Sequence, residues 1–88
     1  AHMKTFVYTI ADEHGIHARP AGILVNCAKQ FTSEIKVSKN DRVVNAKHLL
    51  AVMSLAGKHG EQLRFTVEGA DEASAARELE RCCREQIG

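Results

Sequence analysis

Apolar and polar positions alternate near the start of the chain, where Phe6, Tyr8 and Ile10 are separated by Val7 and Thr9. This period of two predicts a strand over about residues 4 to 10, with one face more buried than the other. Asp12-Glu13-His14-Gly15 then forms a polar connector. Beyond it Ala21, Leu24, Val25, Ala28 and Phe31 recur at steps of three and four, one stripe of a helix. Pro20 falls in the first turn of that helix, where a missing N–H costs nothing and a fixed φ suits the start.

Ile35 and Val37 alternate with charged neighbours, Lys39-Asn40-Asp41 is polar, and Val43-Val44 resumes an extended pattern. A hairpin of strands two and three is expected. Leu49, Leu50, Val52, Met53 and Leu55 predict a short apolar helix from about Lys47 to Ala56, ended by Gly57 and Gly60. Its apolar residues cover more than one face. Leu63, Phe65 and Val67 alternate with Gln62, Arg64, Thr66 and Glu68 as a fourth strand that Gly69 stops. Asp71 is the expected N-cap of a last helix carrying Ala75, Leu79, Cys82 or Cys83, and Gln86 or Ile87 on one face. On its exposed side Glu80 stands four residues before Arg84, an order that favours an ion pair.

The predicted order is β-α-β-β-α-β-α, an α+β fold. Four amphipathic strands and three helices are satisfied by one sheet backed by helices. Because the strands alternate, the sheet is expected to be antiparallel and open to solvent on one face.

With 88 residues, 44% of them apolar and 26% charged, the chain reads as a single domain over residues 3–88. A net charge of +1 with scattered basic residues gives no footprint for nucleic acid. No apolar run approaches the roughly 20 residues that span a bilayer, and the first residues lack a secretory signal's order. The expectation is a cytoplasmic protein without membrane insertion, and a monomer. Ala1-His2-Met3 reads as a cloning remnant, residues 1–2, ahead of a native initiator at Met3. Cys27, Cys82 and Cys83 are odd in number and irregular in spacing, which argues against a disulfide framework. The adjacent pair could bind metal or sense redox state, but reads more simply as helix residues of which at least one packs inward.

Candidate chemistry sits at Gly15-Ile16-His17-Ala18-Arg19-Pro20-Ala21-Gly22. A helix starting near Ala18 leaves its first N–H groups unpaired, with the positive end of its macrodipole toward His17. An imidazole titrates at about pH 6.5 in water, so the unprotonated ring is abundant at neutral pH and can attack phosphorus without a separate base. Arg19 and the amides of Ala18 and Arg19 can stabilise the charge of a phosphoryl group. His17 alone would read as a capping or surface histidine, and Arg19 as a solvated charge. His14 and His59 have no companion residues and are taken as surface histidines. No His/Cys spacing fits a metal site, and no cofactor is implied.

The segment Gly15-Ile16-His17-Ala18-Arg19-Pro20-Ala21 resembles the active-site signature of HPr, the histidine-containing phosphocarrier family of the bacterial sugar phosphotransferase system. Val52-Met53-Ser54-Leu55, the glycines at 57 and 60, and Gly69-Ala70-Asp71-Glu72-Ala73 are similar to segments of that family too, so the likeness runs over residues 3 to 88. The resemblance implies an open-faced β-sandwich in which Nδ1 of His17 accepts a phosphoryl group from phosphorylated enzyme I. The group then passes to a sugar-specific enzyme IIA component, with Arg19 supplying charge to its oxygens. It also implies a docking patch for these partners on the short helix, Leu49, Leu50 and Met53, together with Pro20. Core packing is the plainer alternative for those apolar residues.

Two positions depart from the family pattern. Gly22 stands where many relatives carry a larger residue, which implies a weaker local partner contact. His48 stands where many Gram-positive relatives carry a serine phosphorylated by a dedicated kinase, so that modification is expected to be absent; Ser54 does not match that place. A specialised paralogue serving another phosphorelay or a regulatory target would also use His17, whereas a role based only on docking, that of a regulatory binding module, would not depend on it. A small RNA-binding domain shares the order β-α-β-β-α-β, but Val43-Val44 replaces the aromatic third strand that such domains use to stack bases, and Tyr8 is the only tyrosine.

Overall fold

The computed structural model describes residues 3–87; the expected cloning remnant, Ala1 and His2, and Gly88 lie outside the described residues. The elements are β1 (Lys4–Thr9), α1 (Ala18–Ala28), β2 (Glu34–Lys39), β3 (Arg42–Asn45), α2 (Leu49–Ser54), β4 (Gln62–Glu68) and α3 (Glu72–Cys82). A π-helical turn, Cys83–Ile87, continues α3. The four strands form one antiparallel sheet in the order β1-β4-β2-β3.

Register follows the alternation of the sequence. Phe6 pairs with Phe65, Phe65 with Val37, and Val37 with Val44, so one row of inward side chains crosses all four strands. Phe6 and Phe65 stack with ring centroids 4.8 Å apart. Shifting any strand by one residue would turn this row to solvent, so burial itself fixes the register. The adjacent row, Val7, Arg64, Ser38 and Val43, faces outward, with Val7 and Val43 exposed.

The helices cover only the inward face. Pro20, Ala21, Leu24, Val25 and Ala28 of α1 are buried, as are Ala75, Leu79 and Cys82 of α3. Cys83 and Ile87 are buried on the π-turn, whose wider winding keeps this stripe on the core. No helix among the described residues is long and apolar enough to cross a membrane.

Three local expectations are corrected. Helix α2 spans Leu49–Ser54 rather than about 47 to 56. The Asn45 side chain accepts the Lys47 N–H at 2.8 Å and the Asn45 carbonyl accepts the His48 N–H at 3.2 Å, holding this stretch in a turn. At the other end the chain leaves the helix through Ala56, at φ +52°, before either glycine is reached. Gly57 is instead a matter of space, since a Cβ there would press on Ile10 Cδ1 at 2.7 Å.

Asp71 occupies the N-cap position of α3 without capping it. Its Oδ2 accepts the Thr32 N–H and its Oδ1 the Ser33 N–H, both at 2.9 Å, and Oδ1 also takes the Ser33 hydroxyl. Glu72 reaches back instead, accepting the Gly69 N–H at 3.0 Å. The third correction is on the exposed side of α3, where Arg81 binds Glu78 at 2.8 Å and Glu85 at 3.2 Å. Among the described residues no ion pair joins Glu80 to Arg84. Arg81 is instead the cation that takes up the neighbouring carboxylates, Glu78 one turn before it and Glu85 on the π-turn.

The Asp71 clamp makes stability depend on pH. Its hydrogen bonds, the Ser33 hydroxyl first, hold the carboxyl at about 2, below the usual carboxylate range. A depressed folded value stabilises the fold above the unfolded carboxylate value near ~4, and that contribution disappears as pH falls toward about 2. Asp71→Asn is therefore expected to lower Tm by on the order of 5–10 °C at pH 7. The gap to wild type should close in thermal melts recorded from pH 5 down to pH 2.

Candidate functional site

The loop between β1 and α1 is anchored along its length. Ile10 donates to the Glu61 carbonyl and accepts the Gly60 N–H, each at 2.9 Å. His59 Nδ1 lies 3.1 Å from the Ala11 carbonyl and donates to it. Asp12 then turns the chain, its Oδ1 accepting the His14 N–H at 2.7 Å and its carbonyl the Gly15 N–H at 2.9 Å. A short polar side chain that bonds the backbone two residues on is a common way to initiate a turn.

Gly15 follows at φ +73°, a backbone conformation that glycine adopts without penalty. A Cβ there would overlap the Gly57 carbonyl oxygen, which accepts the Ile16 N–H at 2.9 Å. Ile16 is buried. These contacts fix the backbone directly before His17, and the buried Pro20 and Ala21 fix it directly after.

His17 is the N-cap residue of α1, extended at φ −100° and ψ −167°, and its side chain makes no capping bond. Its carbonyl accepts the first helical bond, from Ala21 N–H at 3.0 Å. Pro20 has no N–H, and among the described residues neither the Ala18 nor the Arg19 N–H has a protein acceptor. The first turn holds no acidic residue to offset the helix dipole. Ala18 and Arg19 are exposed, and the His17 side chain is 44% exposed. The Arg19 guanidinium forms no ion pair or hydrogen bond among the described residues. Among the described residues, an exposed imidazole, two unpaired amides and an unengaged cation thus share one helix start.

Asp12 is the residue that sequence reasoning missed. Its Oδ2 lies 3.6 Å from His17 Nε2. The signal that could have found it is the acidic turn initiator preceding Gly15, but spacing alone does not show which way a connector folds. His14 stands edge-on to His17 with ring centroids 6.2 Å apart, and is more exposed.

On the neighbouring α2, Leu49 and Leu50 are exposed, Leu50 to 80%, whereas Met53 is half-buried against the core. Helices α1 and α2 pack together, so this apolar surface adjoins the helix that carries His17. Pro20, expected on the partner surface, is fully buried and belongs to the core: it lies four residues before Leu24 on the inward stripe. His48 is the exposed N-cap residue of α2, and its side chain does not cap.

Burial disfavours ionisation of all three cysteines. Burial pushes the Cys27 and Cys83 thiols up to about 12 and also raises Cys82, so thiolate is scarce at neutral pH. Among the described residues no cluster of three His, Cys, Asp or Glu side chains gathers for a metal. A concavity of about 360 Å³ lies on the open sheet face, lined by residues such as Ser38, Lys39 and Arg64. His17 does not line it; its ring stands on the accessible surface.

The family model described as the PTS HPr component phosphorylation site matches residues 4–85. The chain is 49% identical over 82 residues to a multiphosphoryl transfer protein of Vibrio cholerae, covering 90% of this chain and 20% of that relative. It is 48% identical over 73 residues to the phosphocarrier protein HPr of Lysinibacillus sphaericus, covering 83% of each. The chain thus spans about a fifth of the multiphosphoryl transfer protein and most of the shorter relative. Among solved structures, the histidine-containing phosphocarrier protein of a Mycoplasma superposes with a TM-score of 0.92 at 30% identity, covering 96% of both chains. HPr-C-His from Thermoanaerobacter tengcongensis superposes with a TM-score of 0.90 at 35% identity, covering 97% of this chain and 96% of that one.

Proposed function

The chain belongs to the HPr phosphocarrier family of the phosphotransferase system, and from that premise we propose that His17 accepts a phosphoryl group from phosphorylated enzyme I and donates it to enzyme IIA components for sugar uptake. The observation that carries the reading is the placement of an exposed imidazole at a helix start whose two available amides are unpaired and whose first turn holds no acid.

In this reading Nδ1 of His17 attacks phosphorus in line with the donor nitrogen. Its lone pair forms the new P–N bond while the electron pair of the breaking bond returns to the donor ring. The amides of Ala18 and Arg19 and the Arg19 guanidinium stabilise the phosphoryl oxygens, whose charge the helix start also favours. The open site serves both directions, since the same surface must meet donor and acceptor in turn. The protein is a carrier turned over by its partners, acting as one unit over residues 3–88 in the cytoplasm.

Leu49 and Leu50 serve as the apolar part of the docking surface, with the exposed edge of Met53; a large exposed aliphatic side chain such as Leu50 is the kind of anchor that partner interfaces bury. At the place of the regulatory serine, His48 offers no hydroxyl. The Ser54 hydroxyl is engaged, donating to the Ala51 carbonyl at 2.6 Å and receiving Arg42 Nη2 at 3.0 Å. Control by seryl phosphorylation at the start of α2 is therefore absent.

Incubation with phosphoenolpyruvate and catalytic enzyme I tests the reading. Intact-mass measurement is expected to show one added phosphoryl group, lost on brief acid treatment as a P–N bond requires. A mass that never changes would overturn the proposal.

A further inference from the structure

Asp12 lies outside the Gly15–Ala21 segment, yet among the described residues it is the acidic group placed against the His17 ring. Its Oδ1 is occupied by the His14 N–H, which leaves Oδ2 to face His17 Nε2 at 3.6 Å. The carboxylate is 21% exposed on a loop pinned by Gly57, His59 and Gly60. Resting on the carrier reading, we propose that Asp12 is a positioning residue for phosphoryl transfer: it keeps the imidazole proton on Nε2, directs the Nδ1 lone pair to phosphorus, and balances the charge of the phosphorylated ring.

The geometry gives each part of this role a cause. A proton shared toward a carboxylate stays on the ring nitrogen that faces it, and the other nitrogen then carries the free pair. When Nδ1 bonds phosphorus and the donor's P–N bond breaks, the Nε2–H remains in place and the imidazole ring takes on positive charge. Asp12 stands beside that charge. On the return step the P–Nδ1 bond breaks toward the acceptor, its electron pair goes back to Nδ1, and the ring is again neutral with its proton on Nε2. No proton has to enter or leave in either direction.

Asp12 is suited to remain ionised throughout. The His14 amide, and then the His17 ring, hold its carboxyl below the usual range. The other charged or titratable groups beside the ring are His14, its ring centroid 6.2 Å away, with Glu13 next to it in the same loop, and Arg19 two residues on in α1. Glu13 is directed to His14, 3.8 Å away, and His59 to the Ala11 carbonyl. The separation of 3.6 Å is looser than a hydrogen bond and is expected to tighten when the ring becomes cationic.

Asp12→Asn is the discriminating variant, because an asparagine oxygen can still accept the His14 N–H and keep the turn while the charge is removed. Wild type and variant, matched by circular dichroism, are labelled with phosphoramidate, which phosphorylates histidine without a protein partner. Loss of the label is then followed by ³¹P NMR from pH 5 to 9, and ¹⁵N NMR reads the tautomer of unlabelled His17. In the variant the fast, Nε2-protonated phase of hydrolysis should withdraw to lower pH, slowing loss about three- to tenfold on the alkaline side. The tautomer should shift from Nε2–H toward a mixture. Asp12→Glu, which retains the charge, should move the pH profile back toward wild type. Superimposable pH profiles and tautomers for wild type and Asp12→Asn overturn the role of Asp12. Failure of enzyme I to label the wild type overturns the carrier reading alone.

Discussion

His17→Ala is expected to take up no phosphoryl group from phosphorylated enzyme I, a loss of more than about 10³-fold, while its Tm stays within about 2 °C of wild type. The two halves have separate causes. In the proposed transfer the group needs a nitrogen lone pair at the start of α1, and alanine supplies none. Among the described residues a second imidazole, His14, lies 6.2 Å away by ring centroid and is directed toward Glu13. Stability is spared because the His17 side chain makes no capping bond and is 44% exposed. Its backbone carbonyl, which starts the helix, is untouched by the substitution. Intact mass after incubation with phosphoenolpyruvate and enzyme I, together with a thermal melt, checks both halves. Stoichiometric labelling of a folded His17→Ala would place the acceptor elsewhere, with His14 the first alternative.

Most of the fold is legible because burial imposes its period on the sequence. Leu63, Phe65 and Val67 alternate as β4, the central strand between β1 and β2, requires, and the Ala21, Leu24, Val25 and Ala28 stripe reads directly as the buried face of α1. What was not legible depends on which partners the fold brings together. Asp71 looks like a helix cap until Thr32 and Ser33, 38 to 39 positions earlier, are brought to its oxygens. The Glu80 and Arg84 spacing promises an ion pair, but spacing does not show that Arg81 pairs instead, with Glu78 and Glu85. The apolar run overstates the length of α2 because it does not show that Asn45 holds the preceding residues in a turn.

The candidate site divides in the same way. His17, Arg19 and the helix start were visible as residue types in order, because a helix begins where a proline can be tolerated and its first amides are then free. Pro20 misled in one respect: its place in the first turn is local information, whereas its burial follows from the phase it shares with Leu24. Asp12 was invisible as a member of the site. Its approach to His17 results from a turn closed by the His14 and Gly15 amides, and polar connector residues carry no periodicity from which such a contact could be read.

That loop geometry makes Gly15→Ala the substitution expected to damage stability and transfer together. The alanine would have to hold φ +73° and place its Cβ on the Gly57 carbonyl oxygen. That oxygen cannot move away cheaply, since it accepts the Ile16 N–H at 2.9 Å and Gly57 is itself packed against Ile10 and Ile16. The left-handed backbone costs about 1 kcal/mol and the displaced, hydrogen-bonded backbone brings the sum to about 2–4 kcal/mol. For a domain of this size that corresponds to a fall in Tm of roughly 10–25 °C. Relief of the overlap moves Ile16, and with it the backbone of His17, so phosphoryl uptake below the melting range should also fall by at least about tenfold. Gly60→Ala provides the comparison, because Gly60 has a similar φ of +87° but no atom within 4 Å of the place its Cβ would take. It should show the backbone cost alone, a fall of several degrees, with uptake near wild type. Equal melting temperatures for Gly15→Ala and Gly60→Ala would show that the Gly57 contact does not constrain the loop, and would remove the packing basis for how His17 is held.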